Sequence, residues 1–276
     1  MTGALDGTGA FITGGGSGIG LACARALWDD GATVTLMGRD QARLEAAAAS
    51  FSSAERVRTV AGDTSSEADV ARAVAVAAEG QGLHAAVLSA GTGSLGPVVA
   101  MPLEEWERVL DTNLTGAFLA MKHAGSAIAA SGGGAVVGIS SIAGPLTHRH
   151  MAAYCVSKAG LEMLCRTAAD ELGRASVRVN AIRPGLVKTE LADPLMSDPQ
   201  VLDDYLAQMP ISRVGRPEDI GAAARFLCGP ESTWITGQIL GVDGGHTLRR
   251  GPDLDHWADA LFGETARTGV LTPPSP

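Results

Sequence analysis

The sequence predicts a single-domain α/β protein built on a doubly wound parallel sheet with helices on both faces. Short β-rich runs alternate with longer helical stretches along nearly the whole chain. Strand–helix–strand repeated this often packs as parallel strands joined by crossover helices. Several of the runs are apolar on consecutive residues, as strands covered on both faces must be. No Pro/Ser-rich linker divides the chain.

In order, strands are expected at 10–13, 33–37, 57–61, 85–89, 135–139, 177–182 and 238–242. The intervening helices are expected at 19–29, 41–50, 67–79, 103–130, 152–172 and 217–228. Two segments fall outside the alternation. Residues 185–215 form a long insertion, weakly helical and punctuated by Pro194, Pro199 and Pro210, of the kind that serves as a lid over a site. Residues 251–276 form a C-terminal extension beyond a domain that spans 1–250. Its amphipathic stretch at 254–262 is expected to pack on a neighbouring subunit or on its own chain, and its last residues to be disordered.

Composition narrows the function classes. A net charge of −9 and a pI near 5.1 disfavour nucleic acid and anionic membranes as partners. Cys23, Cys155, Cys165 and Cys228 are widely spaced, without metal-site or disulfide patterning, and read as thiols in a reducing compartment. The first residues lack a basic segment followed by an apolar one, so a cytoplasmic location is expected.

After the first strand comes a turn, Thr13-Gly14-Gly15-Gly16-Ser17-Gly18-Ile19-Gly20, that runs directly into a helix. Gly14 permits a sharp turn, Gly18 lets backbone amides approach a pyrophosphate, and Gly20 allows the helix to pack closely on the strand. The spacing is G-x-x-x-G-x-G rather than G-x-G-x-x-G. At the end of the second strand, Gly38 takes the place of an NAD-selecting acid and Arg39 follows it, which favours NADP(H) with NAD(H) still possible. Asp40 either caps the next helix or reaches the ribose. Asp63, closing the third strand, meets an adenine edge or serves a structural turn.

Tyr154 and Lys158 stand at i and i+4, on one helical face, and Ser141 precedes Tyr154 by thirteen residues. With two tyrosines and three lysines in 276 residues, that pairing would arise by chance in roughly 2% of such chains. A phenol titrates near pH ~10, too high for a base at neutral pH, and an ammonium alongside is expected to lower it. A serine hydroxyl at a strand end can polarise a carbonyl or orient an alcohol. Ser140 and Ser141 both fit that place by spacing alone.

Together these residues resemble the short-chain dehydrogenase/reductase family, over residues 8–245. Thr13–Gly20 is similar to its TGxxxGxG turn and Ser89-Ala90-Gly91 to its N-A-G segment, with serine in place of asparagine. Asp111-Thr112-Asn113 is similar to the segment carrying its active-site asparagine. Ser141, Tyr154 and Lys158 match its S…YxxxK set, which selects Ser141 over Ser140. Arg183-Pro184-Gly185 through Val187 and Thr189 resembles its P-G…T stretch, and Asp243-Gly244-Gly245 its closing motif.

The resemblance implies a seven-stranded Rossmann-type sheet, hydride transfer between a secondary alcohol and a ketone, and a homotetramer or homodimer. It implies catalytic roles for Asn113, Ser141, Tyr154 and Lys158, with Asn113 relaying protons through a water to Lys158. It further implies cofactor contacts from Gly14, Gly16, Ser17, Gly18, Ile19, Gly20, Arg39, Asp63, Thr64, Ala90, Gly91, Tyr154, Lys158, Pro184, Gly185, Val187 and Thr189. Other outcomes on the same fold are C=C reduction of an enoyl or dienoyl thioester, and an NADPH-binding regulator without turnover. The insertion mixes apolar residues such as Leu191, Leu202 and Leu206 with five acids, which suits a small hydrophobic alcohol or ketone. His148, Arg149 and His150 form either a solvated loop or a basic mouth near Tyr154.

Overall fold

Seven parallel strands order as β3-β2-β1-β4-β5-β6-β7 in the computed structural model, which describes residues 3–248 with Glu264, Thr268 and Val270. The strands are β1 (Gly9–Thr13), β2 (Thr33–Gly38), β3 (Val57–Ala61), β4 (Leu83–Leu88), β5 (Gly134–Ile139), β6 (Val177–Pro184) and β7 (Ile239–Val242). The helices are α1 (Gly18–Asp29), α2 (Gln41–Ala49), α3 (Glu67–Ala78), α4 (Leu103–Leu110), α5 (Gly116–Ala130), α6 (Ala152–Leu172), α7 (Asp193–Met196), α8 (Pro199–Gln208) and α9 (Pro217–Cys228). The expected extension at 251–276 lies almost wholly outside the described residues.

The consecutive apolar runs have the origin the sequence suggests. In β1, Ala10 and Ile12 enter one core with Cys23, Leu27, Ile220 and Leu227 of α1 and α9. Phe11, between them, enters the opposite core with Val70, Ala120, Ile128 and Leu161 of α3, α5 and α6. Successive strand side chains point to opposite faces, so a sheet sandwiched between helices needs apolar residues at every position.

The strand order reverses between β1 and β4, and the carboxyl ends of those strands open the crevice where such sheets bind ligands. β1 is in register with both neighbours, Thr13 opposite Met37 on one side and Leu88 on the other. This alignment brings the glycine turn, the end of β2 and the segment after β4 to one edge.

One expected element is interrupted. Residues 103–130 are not a single α-helix: a π-helical turn at Asp111–Thr115 separates α4 from α5. A π turn inserts an extra residue into the helical repeat and re-aims the side chains there. It turns Asn113 inward, where it is 1% exposed.

Candidate active site

The cofactor end is made mostly of backbone. Gly14 (φ 63°) and Gly18 (φ 52°) occupy the left-handed region, which costs other residues about 1 kcal/mol or more. A Cβ on Gly20 would lie 2.2 Å from the Gly14 carbonyl oxygen, so α1 closes on the turn only with glycine there. A Cβ on Gly14 would lie 3.0 Å from the backbone of Ala90. The buried Thr13 hydroxyl accepts from the amides of both Ser89 (3.0 Å) and Ala90 (3.1 Å), tying the segment after β4 to the end of β1. Thr13 supplies support there through the backbone of residue 89, which serine provides as well as asparagine.

The site fits a dinucleotide. Ser17 is the N-cap of α1, yet its side chain makes no capping bond and the first turn holds no acid. The orphan amides and positive helix end therefore remain for a pyrophosphate. By contrast Asp40 caps α2, its Oδ1 accepting from the Arg43 amide at 3.1 Å. Arg39 is exposed at the mouth of the crevice and makes no hydrogen bond or ion pair among the described residues. Asp63 directs Oδ1 to the Ser65 amide (2.9 Å) and hydroxyl (2.8 Å), as a turn aspartate does, while Thr64 is buried against Gly116.

The P-G…T stretch reaches back to the glycine turn. Val187 bridges Gly215 at the base of the insertion, and a Cβ on Gly18 would lie 3.3 Å from the Thr189 methyl. A Cβ on Gly185 would lie 2.9 Å from the backbone of Asp243, so Pro184–Gly185 and the closing motif pack without a side chain between them. Beyond Thr189, Glu190 pairs with Arg43, whose stem runs beside Gly16. Arg43 was not singled out from the sequence, because its role depends on a partner 147 residues away.

The chemical end is made of side chains. α6 buries the stripe Ala153, Ser157, Leu161, Cys165 and Ala168–Ala169, and Lys158 and Glu162 are polar members of that buried face. Ser140 and Ser141 point in different directions. The Ser140 hydroxyl is buried and donates to Glu162 Oε1 (2.8 Å). Ser141 stands near enough to the Tyr154 hydroxyl to lower its phenol, and accepts from the Ala143 amide at 3.1 Å. The structure thus brings Ser141, and not Ser140, to Tyr154.

Lys158 Nζ donates to the Ile139 carbonyl (2.8 Å) and lies 5.6 Å from the centroid of the Tyr154 ring. A Cβ on Gly91 would rest in ordinary contact with that nitrogen (3.6 Å) and with Asn113 Oδ1 (3.5 Å), so Gly91 lies directly over both groups. Asn113 braces the segment beside it. Its Oδ1 accepts from the Thr92 amide (2.8 Å), and its Nδ2 donates to the Thr92 carbonyl (2.9 Å) and Ser157 Oγ (3.0 Å).

The electrostatics correct one expectation. Burial holds the Tyr154 phenol above its ordinary value, with nearby Ser141 pulling the other way. Lys158 does not bring it down here, because Lys158 is itself desolvated and its ammonium is pushed down to about 8. Spacing predicts that the two side chains are neighbours. It does not predict how little water surrounds them.

Behind Ser141 lies a buried ion pair. Glu162 accepts from Arg183 Nε (2.6 Å) and Nη2 (2.5 Å) in fork geometry, and also from Ser140. It thereby ties the ends of β5 and β6 to α6. Sequence reasoning also missed Tyr205 of α8. Its phenol is pushed up by burial and next by the neighbouring Tyr154. As the chain's second tyrosine, inside the insertion, it carried a compositional signal that could have marked it.

A switch-point crevice with open helix amides and a serine–tyrosine–lysine corner defines a nicotinamide-dependent oxidoreductase. A family model described as enoyl-(acyl carrier protein) reductase matches residues 14–247. A galactitol 2-dehydrogenase (L-tagatose-forming) of Cereibacter sphaeroides is 38% identical over 246 residues, covering 88% of this chain and 96% of that protein. A solved short-chain type dehydrogenase/reductase from Mycobacterium ulcerans has TM-score 0.86 at 38% identity, covering 97% of this chain and 99% of its own. A gluconate 5-dehydrogenase from Burkholderia cenocepacia, solved with NADP and tartrate, has TM-score 0.85 at 29% identity, covering 89% and 97%. The chain belongs to the short-chain dehydrogenase/reductase family. It is an oxidoreductase that interconverts secondary alcohols and ketones with a nicotinamide cofactor.

Proposed function

We propose that this chain uses NADP(H) in preference to NAD(H) and that Tyr154 moves the proton of a small-molecule alcohol or ketone. The observation that carries this reading is the convergence of Ser141 and Lys158 on Tyr154 at the crevice edge. When bound, the nicotinamide supplies or accepts the hydride.

In reduction Tyr154 gives its phenolic proton to the carbonyl oxygen, and in oxidation it takes the proton of the hydroxyl. A phenol held above its ordinary value stays protonated at neutral pH and is ready to donate. Ser141 donates to the same oxygen and aligns it. Lys158, steadied by its bond to the Ile139 carbonyl, would hold the ribose hydroxyls of the cofactor beside Tyr154. Asn113 holds the segment at Gly91–Thr92 against α6 and so keeps the floor of the crevice in place.

Gly14–Gly20 and Gly91 frame the space for the cofactor, with Pro184, Gly185, Val187 and Thr189 on the facing wall. Support for NADP(H) comes from exposed Arg39 after β2, a cation suited to a 2′-phosphate, and from Asp40 being engaged as a cap. The NADP-bound gluconate 5-dehydrogenase is in keeping with that preference. Exposed apolar residues on α5 and α6 (Phe118, Met163) and around β7 (Trp234, Leu240) favour a homodimer or homotetramer. No helix among the described residues is long and apolar enough to cross a membrane, and the acidic charge is consistent with a cytoplasmic enzyme.

The test is NADPH and NADH oxidation against a panel of ketones, with activated enones as a second arm. Ketone turnover with NADPH ahead of NADH is expected. Arg39→Leu should lower that preference about tenfold, the equivalent of one charge-assisted hydrogen bond. Turnover confined to enones would move the chain to C=C reduction. Tight NADPH binding without turnover of any compound would make it a regulator.

A further inference from the structure

We propose that Tyr205, His148 and His246 form a recognition wall for a second hydroxyl of the substrate, so that the enzyme acts on diols and polyols in preference to simple alkanols. The proposal rests on Tyr154 marking where the reacting carbon sits.

Three rings from three separate elements meet there. His148 comes from the segment between β5 and α6, Tyr205 from α8 of the insertion, and His246 from the turn after β7. The centroids of His148 and Tyr205 are 6.4 Å apart, and those of Tyr205 and His246 are 5.5 Å apart. The His148 amide reaches Cys155 Sγ at 3.4 Å, next to Tyr154 in α6, so the group lies on the Tyr154 side of the crevice, in keeping with the influence of Tyr154 on the Tyr205 phenol.

The wall is held rigidly. Asp243 accepts from the amides of Gly245 (2.9 Å) and Thr247 (3.1 Å) and from the Thr247 hydroxyl (2.8 Å), fixing the turn that presents His246. The segment after α8 is bound to the same turn, the Ile211 amide donating to the Gly244 carbonyl at 2.9 Å. Tyr205 and His246 are therefore anchored to one body. His148 is oriented separately, its amide donating to Cys155 Sγ and its Nδ1 facing the Leu146 carbonyl at 3.3 Å. With Nδ1 donating to that carbonyl, Nε2 is left as an acceptor.

A phenol that donates and an imidazole that accepts match a hydroxyl, which can do both at once. The flat ring faces match the C–H faces of a hydroxylated carbon chain. A hydrocarbon in the same place would leave the Tyr205 hydroxyl and His148 Nε2 without a hydrogen-bond partner, and sites built around a hydroxyl reject the analogue lacking it by large factors. The apolar residues of the insertion remain available to the rest of the skeleton. On this proposal the hydrophobic alcohol or ketone expected from the sequence carries a polar end as well.

The experiment uses the enzyme with NADP+ and a matched pair, butane-2,3-diol and butan-2-ol. The diol is expected to have a kcat/KM about 10²-fold higher or more. Tyr205→Phe should lower the diol value at least about tenfold, chiefly through KM, and leave butan-2-ol within about threefold. Melting temperature and NADPH affinity, measured on the same samples, should stay as in the wild type. Equal use of both alcohols, or a variant that loses both in proportion, would overturn the proposal. If neither alcohol is oxidised with NADP+ or NAD+, the catalytic reading fails, and calorimetric binding of the diol to the NADP+ complex decides the wall separately. Binding lost in Tyr205→Phe would uphold it, and no binding by the wild type would overturn it.

Discussion

The glycine turn and the Ser141–Tyr154–Lys158 corner lie on the same sheet edge, yet they are built from different materials. At the turn, backbone does the work: left-handed glycines, uncapped helix amides and a carbonyl that tolerates no Cβ nearby. At the corner, side chains from β5, α6, β6 and the π turn interlock, with Glu162, Lys158 and Asn113 all buried. A backbone site depends on local conformation and on missing atoms. A side-chain site depends on how the surrounding core removes water. The two ends should therefore fail in different ways.

Tyr154→Phe should separate them most sharply. Removing the proton donor should lower turnover by about 10²–10⁴-fold, while NADPH affinity, measured by fluorescence titration, changes little. Glu162→Gln comes next. It leaves Arg183 without its buried carboxylate partner and should cost about 3 kcal/mol in urea unfolding, with kcat falling because one amide oxygen cannot replace both acceptors of the Arg183 fork that ties β6 to α6 behind Ser141.

The third prediction concerns pH. Lys158 is depressed to about 8 in the folded protein and titrates near its ordinary 10.5 when unfolded. Between those values the unfolded chain holds a proton at this group that the folded chain does not, so the Lys158 contribution to stability rises with pH. Below pH 8 the cost is constant. Above pH 10 the buried Tyr154 opposes further gain, because its unfolded phenol ionises first. The buried Cys23, Cys165 and Cys228 thiols, pushed up by burial, pull the other way as pH rises. The Lys158 contribution is therefore read as the difference between wild type and Lys158→Met, which should shift in favour of the wild type by about 2–3 kcal/mol between pH 8 and 10. The smallest effect is expected at the turn. Gly18→Ala strains a residue at φ 52° by about 1 kcal/mol, read as a several-fold weaker NADPH affinity with kcat nearly unchanged.

The same contrast explains what the chain discloses before it folds. The helices Ala152–Leu172 and Pro217–Cys228 were legible to the residue, because their apolar spacing and flanking signals are local. The glycine turn was legible for the same reason. The π turn was not, since Asp111–Thr115 has a composition that continues a helix and only packing turns Asn113 inward. Ser140 and Ser141 were indistinguishable by spacing, and Glu162, on a neighbouring helix turn, separates them. Tyr205 and Arg43 act through partners far away in sequence, so no local pattern pointed to them. The direction of the Tyr154 shift was misjudged because i, i+4 spacing reports proximity, whereas burial decides protonation.

That last point can be measured directly. The chain has two tyrosines, so Tyr205→Phe leaves Tyr154 as the sole phenol. Its ionisation can then be followed by phenolate absorbance near ~295 nm in the apo protein, where tryptophan does not titrate. Phenolate appearing only above pH 10 would show that burial outweighs Lys158 and that Tyr154 waits as a neutral proton donor. Phenolate appearing well below pH 10 would contradict that account and place the lysine in control.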